Sequence, residues 1–369
     1  MKTEADSACN GADPAPAKTR PPVLGSHTCV GILHELKRWK DIPFLRDNDG
    51  MLPPFIIAVG SRVRVQCSPS ILNFGPGARF IDEEAREKVG LKAFGRVSIA
   101  VGSVRTRRSD IDVPVAVVET QMGCSATQIN LKEVLHFARA DGYNLGGSFV
   151  KSDGIYVVRA GTCAGVNSRS PSEIPVRIGD VLIATDSYGS IGALIQSTLQ
   201  SLNYTGINIA AKADALRKLI SEYGNLRLSH DGQSLATSAS PRLVLRLQRA
   251  ADSLGIRNLV GPNFAKDSLY AEIGEDGFAM LRDTYGIIST EMEAPAVDAL
   301  AGEFRRADVP VFSGLVSAAI GAIPGKSFAG TAVERKAAAD AERNAMRVAA
   351  RALSDIANDI DSFEALTLR

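Results

Sequence analysis

Short apolar runs that break off at a glycine or a polar turn, alternating with stretches of helical spacing, constrain this chain more than any other feature. "PPFIIAVG" (53–60) reads as a buried strand with a tight turn after it. "RVSIAVGSV" (96–104) and "VPVAVVET" (113–120) flank a polar turn and predict a hairpin. Arg105, Arg107 and Arg108 form a solvated charge cluster at its end. "SATQINLKEVLHFARADG" (125–142) has helical spacing and runs to an Asp-Gly stop. "GIYVVRAG" (154–161) and "IGDVLIATDSYG" (178–189) are further strands. "SPRLVLRLQRAADSLG" (240–255) predicts a helix with Ser240 as cap, Pro241 in its first turn and Gly255 as stop. Residues 286–309 predict strand, turn and helix, residues 309–321 another strand, and residues 331–360 an amphipathic helix. The alternation predicts a three-layer α/β/α single domain with a central mixed sheet. Ligands in such sheets bind beyond the carboxyl ends of strands. Residues 1–27 are poor in large apolar groups and read as a disordered tail. Residues 28–369 then form the domain, with 190–240 as a variable insertion.

Composition narrows the function classes. Of the 369 residues, 45% are hydrophobic and 22% charged, enough for a sizeable core. A net charge of +1 offers no broad basic surface for nucleic acid. The five cysteines are scattered without a CxxC pair, which fits a reducing compartment. The four histidines lack metal-ligand spacing, so no metal is expected. No stretch approaches the roughly 20 apolar residues of a membrane span. The N-terminus lacks an apolar signal core. A cytoplasmic protein that engages neither membrane nor nucleic acid is the expectation.

Three strand ends carry chemistry. In "IIAVGSRVRV" (56–65), Gly60 permits close backbone approach to an anion, and Arg64 follows four residues later. In "VVRAGTCAG" (157–165), Arg159 supplies a guanidinium fork and Thr162 a hydroxyl donor. In "STEMEA" (289–294), extended backbone would place Glu291 and Glu293 on one face and Met292 on the other. Cations for an oxyanion beside carboxylates that grip hydroxyls suggest a phosphate and a sugar. Taken singly, each has a plainer reading: a surface arginine, the start of a helix, a core methionine. "GAIPGKS" (321–327) falls one residue short of a P-loop and reads as a Pro-Gly turn.

In this order the segments resemble the nucleoside phosphorylase family that includes uridine phosphorylase and the hexameric purine nucleoside phosphorylases. The resemblance spans residues 53–355, with gaps around 90–115 and 190–240. "AVGSRVRV" resembles the family's phosphate loop, "VVETQMGCSATQINLKEVL" its strand, turn and helix, and "KDSLYAEIGED" its base-binding segment. "VVRAGTCAGVN" followed by "IGDVLIATD" is the most specific match, and "YGIISTEMEAPAV" is similar to the Glu-Met-Glu ribose motif. The resemblance implies that Gly60, Arg64, Arg159 and Thr162 hold phosphate, with Arg96 the candidate contributed by a neighbouring subunit. It implies that Glu291, Met292, Glu293 and Thr162 meet the ribose. Cys163, Ala164, Leu269 and Tyr270 would line the base pocket, and Arg64, Arg159 and Glu293 would carry catalysis.

The implied reaction is phosphorolysis of a nucleoside to free base and (deoxy)ribose 1-phosphate. Inorganic phosphate is the co-substrate, no further cofactor is needed, and the assembly is a homodimer or larger. Two departures affect base choice. The Gln and Arg of uridine phosphorylases are replaced within Ile273, Gly274, Glu275 and Asp276, and the Ser-Asp pair of purine enzymes appears as Ser317 and Ala318. Uridine stays ahead of purine nucleosides, with a hydrolase of the same fold or a non-catalytic nucleoside-binding relative as alternatives.

Overall fold

A computed structural model describes residues 43–75, 78–81, 97–106, 112–189, 226–228, 235–266, 274–325 and 328–367. After a short 3-10 turn at Pro43–Asn48, the order begins with β1 (Phe55–Val59), α1 (Arg62–Leu72), β2 (Arg79–Ile81), β3 (Ile99–Arg105) and β4 (Asp112–Glu119). It continues with α2 (Cys124–Leu135), β5 (Gly142–Leu145), β6 (Ser148–Lys151), β7 (Ile155–Val166) and β8 (Val181–Gly189). β9 (Leu226–Leu228), β10 (Leu235–Ser238), α3 (Pro241–Ser253), β11 (Asn258–Ala265) and α4 (Gly274–Tyr285) follow. β12 (Ser289–Glu291), α5 (Ala294–Arg306), β13 (Val311–Ile323) and α6 (Ala332–Thr367) close the chain.

The expected mixed α/β architecture is present. β1 is buried along all five residues, as a strand covered on both faces must be. Its alternate side chains enter two different cores. Phe55, Ile57 and Val59 pack with Leu243 and Leu247 of α3 and with Ala345, Ala349 and Leu353 of α6. Ile56 and Ala58 pack with Leu131 and Val134 of α2 and with Val297, Leu300 and Phe304 of α5. Helices therefore cover both faces of the sheet. β3 and β4 form the expected hairpin.

Beyond β1 the sheet does something the strand pattern did not suggest. β7 pairs with β12, β12 with β11, β11 with β8, β8 with β13, and β13 again with β7. These five strands close a ring, while β4, β3 and β2 continue outward from β1.

Three local expectations need correction. α2 stops at Leu135 rather than reaching Gly142. Leu52 takes the chain away from it, donating its N–H to Phe137 O and accepting from Arg139 N, which satisfies backbone groups a longer helix would have used. Ser240 precedes α3 but makes no side-chain cap. Its Oγ accepts the Ser313 N–H instead, tying the helix start to β13. The region 190–240 contributes β9 and β10, which extend the sheet from β8. Residues 190–225 and 229–234 lie outside the described residues, as does the N-terminal segment expected to be disordered.

α5 carries a buried acid, Asp298, whose Oδ2 accepts from Thr237 Oγ1 at 3.0 Å. Burial pushes its pKa up from 3.8 to about 6. A raised carboxyl pKa favours the fold below the unfolded value, and that contribution is lost as pH climbs through the folded value. Asp298→Asn removes the effect. The variant is expected to gain stability relative to the parent by about 2 kcal/mol between pH 4 and pH 7. Urea titrations of both proteins across that range check it, and a pH-independent difference would refute it.

Candidate active site

The pairing of β7 creates the site. Along one edge β7 pairs with β13 from Ile155 to Val166. Along the other, β1 pairs with it only as far as Ala160. β12 approaches from the opposite end and reaches only Ala164. Gly161, Thr162 and Cys163 have no strand beside them on that edge among the described residues. The chain reversal after β1, the turn after β12 and the turn after β4 all converge on this notch. It is the kind of break in strand order where α/β sheets bind ligands.

Arg159 lies across the notch, with only 2% of its surface exposed. Its Nη2 is 3.1 Å from Glu293 Oε2, and Nη1 approaches the carbonyls of Ala160 and Ala58 at 3.3 and 3.4 Å. The small residues around it make this possible. A Cβ on Gly60 would sit 3.1 Å from Arg159 Nη2, and one on Gly161 would meet the guanidinium carbon at 3.6 Å. The two glycines thus make the slot in which the arginine lies. Nε is buried without a hydrogen-bond partner among the described residues, a condition that costs free energy in a folded chain.

Gly60 also faces the second arginine. Arg64 Nη1 would lie 3.7 Å from a Cβ at Gly60, so two guanidinium groups meet one backbone turn. Arg64 sits in the first turn of α1, and its Nε and Nη2 both donate to Glu342 Oε2 on α6, at 3.1 and 3.0 Å.

The two glutamates have separated in role. Extended backbone ends at Glu291, and Glu293 has turned to φ −132°, ψ −27° as the residue before α5. The expectation that both carboxylates share one strand face is therefore incorrect. Glu291 turns back on its own chain and accepts from the N–H groups of Glu293 and Ala294 at 2.7 and 2.9 Å. Its other oxygen accepts from Asn263 Nδ2 at 2.7 Å, and Asn263 Oδ1 accepts in turn from Ser289 Oγ. Burial, with the Glu293 charge adding to it, pushes the Glu291 pKa up to about 7. Both of its oxygens are engaged by protein, so Glu291 braces the turn that precedes α5. Glu293 faces the notch, with Oε1 accepting the Gly123 N–H at 2.8 Å.

Among the remaining expected residues, Thr162 and Ala164 are half-buried along β7 and Met292 is half-buried in the turn. Cys163 is a correction. Its side chain packs with Val176, Leu182, Ile288 and Ala319 and is directed at Ala318 O, so it fills core rather than lining an open pocket. Burial raises its thiol pKa. Arg96, Leu269 and Tyr270 lie outside the described residues. Three contributors escaped sequence reading: the Gly123 amide, Asn263 and Glu342. Only Gly123 carried a signal, as the glycine of a turn before a helix. Among the described residues no cluster could hold a metal ion, and no helix is long and apolar enough to cross a membrane.

Comparison with known proteins bears on the family and the fold. Residues 84–356 match the phosphorylase superfamily, and the chain belongs to that family. Solved structures of nucleoside phosphorylases share the fold at low identity. A purine nucleoside phosphorylase from Toxoplasma gondii in complex with immucillin-H is 16% identical with a TM-score of 0.51, covering 84% of this chain and 93% of that one. A uridine phosphorylase from Vibrio fischeri complexed with 6-hydroxy-1-naphthoic acid is 15% identical with a TM-score of 0.50, covering 82% and 91%. A Trypanosoma brucei nucleoside phosphorylase described as showing uridine phosphorylase activity is 16% identical with a TM-score of 0.52, covering 82% and 94%. Among curated protein sequences there is no match.

Proposed function

We propose that this protein cleaves a nucleoside by phosphorolysis, with uridine as the preferred substrate, giving free base and ribose 1-phosphate. The observation that carries the reading is the buried Arg159–Glu293 pair in the notch, with Gly60 and Arg64 beside it. An anion accepts from Arg159 Nε, from Arg64 Nη1 and from Thr162, and the Gly60 turn allows its close approach. Glu293 accepts from the sugar hydroxyls, with Met292 against the ribose face. Phosphate oxygen then attacks the anomeric carbon as the glycosidic bond breaks. The electron pair leaves with the base, and the oxocarbenium-like charge is met by the phosphate and by hydrogen bonds that strengthen in that state. Orientation by the two arginines supplies much of the acceleration.

Base preference rests on β13. Ser317 and Ala318 are fully buried there. Ala318 has no acid to protonate a purine, which favours a pyrimidine. The reading includes a homodimer or larger assembly with Arg96 entering from a neighbouring subunit. It needs no cofactor besides inorganic phosphate. A cytoplasmic setting is consistent with Cys67, Cys124 and Cys163, none of which is in a disulfide among the described residues.

The test is release of base from uridine, thymidine, inosine and adenosine, each with and without phosphate. Phosphate-dependent release, fastest from uridine, is expected. Release without phosphate would replace the reading by hydrolysis. Phosphate-dependent release fastest from inosine would overturn the pyrimidine preference. Binding without release would leave a non-catalytic relative.

A further inference from the structure

We propose that Glu342, on the C-terminal helix, is a positioning residue that sets the orientation of Arg64 toward bound phosphate; this rests on the phosphorolysis reading above. A single oxygen of Glu342 takes both Nε and Nη2 of Arg64. The carboxylate therefore grips one edge of the guanidinium and leaves the other, Nη1, at Gly60 and beside Arg159. A counter-ion that merely neutralised Arg64 would not need to choose an edge.

Both bases of the contact are fixed. On α6, Ala338, Ala341, Ala345 and Met346 are buried around Glu342, and on α1 Val65 and Ser68 are buried around Arg64. The two side chains themselves remain partly open, at 22% for Arg64 and 34% for Glu342. An arginine in that setting would otherwise sample many rotamers. Held by Glu342, it is already ordered when phosphate arrives, and less conformational entropy is lost on binding. The negative charge of Glu342 opposes this gain. Solvent and salt screen a charge so placed, and it sits on the far edge of the guanidinium from Gly60, so ordering outweighs repulsion.

Calorimetric titration of the purified full-length chain with inorganic phosphate tests the proposal. Glu342→Ala is expected to weaken phosphate binding about three- to tenfold, the cost of ordering one long side chain. Glu342→Gln keeps an acceptor without the charge and should stay within about twofold of the parent. In turnover, the phosphate KM rises for Glu342→Ala while kcat and the nucleoside KM hold. In an Arg64→Ala background, Glu342→Ala should have no further effect, because it acts through Arg64. Equal or tighter phosphate binding by Glu342→Ala would overturn the proposal, as would a loss that persists without Arg64. A parent chain that binds no phosphate would instead refute the phosphorolysis reading, and this inference with it. A parent that binds while Glu342→Ala is unchanged refutes the role of Glu342 alone.

Discussion

Arg159→Met is expected to remove about 3–5 kcal/mol of folding free energy, because it leaves Glu293 buried without its cation. The same change should lower phosphate-dependent turnover by about 100- to 1,000-fold, the usual cost of deleting a fixed donor to a reacting oxyanion. The two losses separate in a second variant. Arg159→Met combined with Glu293→Leu removes both charges, and replacing a whole buried pair by apolar groups is often neutral. That double variant should recover most of the stability and none of the activity. Chemical denaturation and base release, measured on both variants, check the pattern. A single variant as stable as the parent would show that Glu293 finds another partner and that the pair is not the centre of the notch.

The second large effect is expected at Glu291. Glu291→Ala strips the acceptor from two backbone N–H groups and from Asn263, all of them within a buried turn. Loss of a helix-start acceptor costs about 1 kcal/mol. Each buried donor left unsatisfied adds about 1–3 kcal/mol. A total near 3 kcal/mol is expected after partial relaxation, together with a fall in kcat/KM of at least about tenfold, because the turn that aims Glu293 is released. Glu291→Gln retains one acceptor and should fall between the parent and the alanine variant in both measurements. If Glu291 met the sugar directly, the alanine variant would lose nucleoside affinity while keeping full stability, and that result would refute its role as a support.

Much of this was legible from residue order alone. The run "FIIAV" announces a strand buried on both faces because every residue is apolar. The β3–β4 hairpin shows itself as two β-branched runs around a polar turn. Arg159 and Glu293 are marked by their places at strand ends, and the family resemblance singles them out from plainer readings. What the order of residues did not show comes from contacts between distant segments. β7 runs on through "GTCAGV", where small residues mask the strand because its neighbours, β13 and β12, supply the pairing. Tight packing against Val176 and Ala319 turns Cys163 inward, and neither neighbour is close in sequence. Glu342 lies in the Ala-, Arg- and Glu-rich stretch that reads only as an amphipathic helix, and its contact with Arg64 spans 278 residues. The β5–β6 hairpin was overlooked, although Gly146 and Gly147, with φ of 58° and 89°, are the pair such a turn demands.

The closed ring of five strands also dictates when this protein becomes competent during its own synthesis. Ile155 of β7 finds its partner in Val311 of β13, and Ala164 of β7 finds Thr290 of β12. Glu342, still later in the chain, completes the setting of Arg64. A chain made from its N-terminus therefore carries Arg159 long before anything can hold that arginine in place. Until β12, β13 and α6 have left the ribosome, the apolar edge of β7 stands uncovered and the notch has no walls. Such distant pairings form slowly, so the newly made chain depends on protection of that edge more than a protein built from local contacts would.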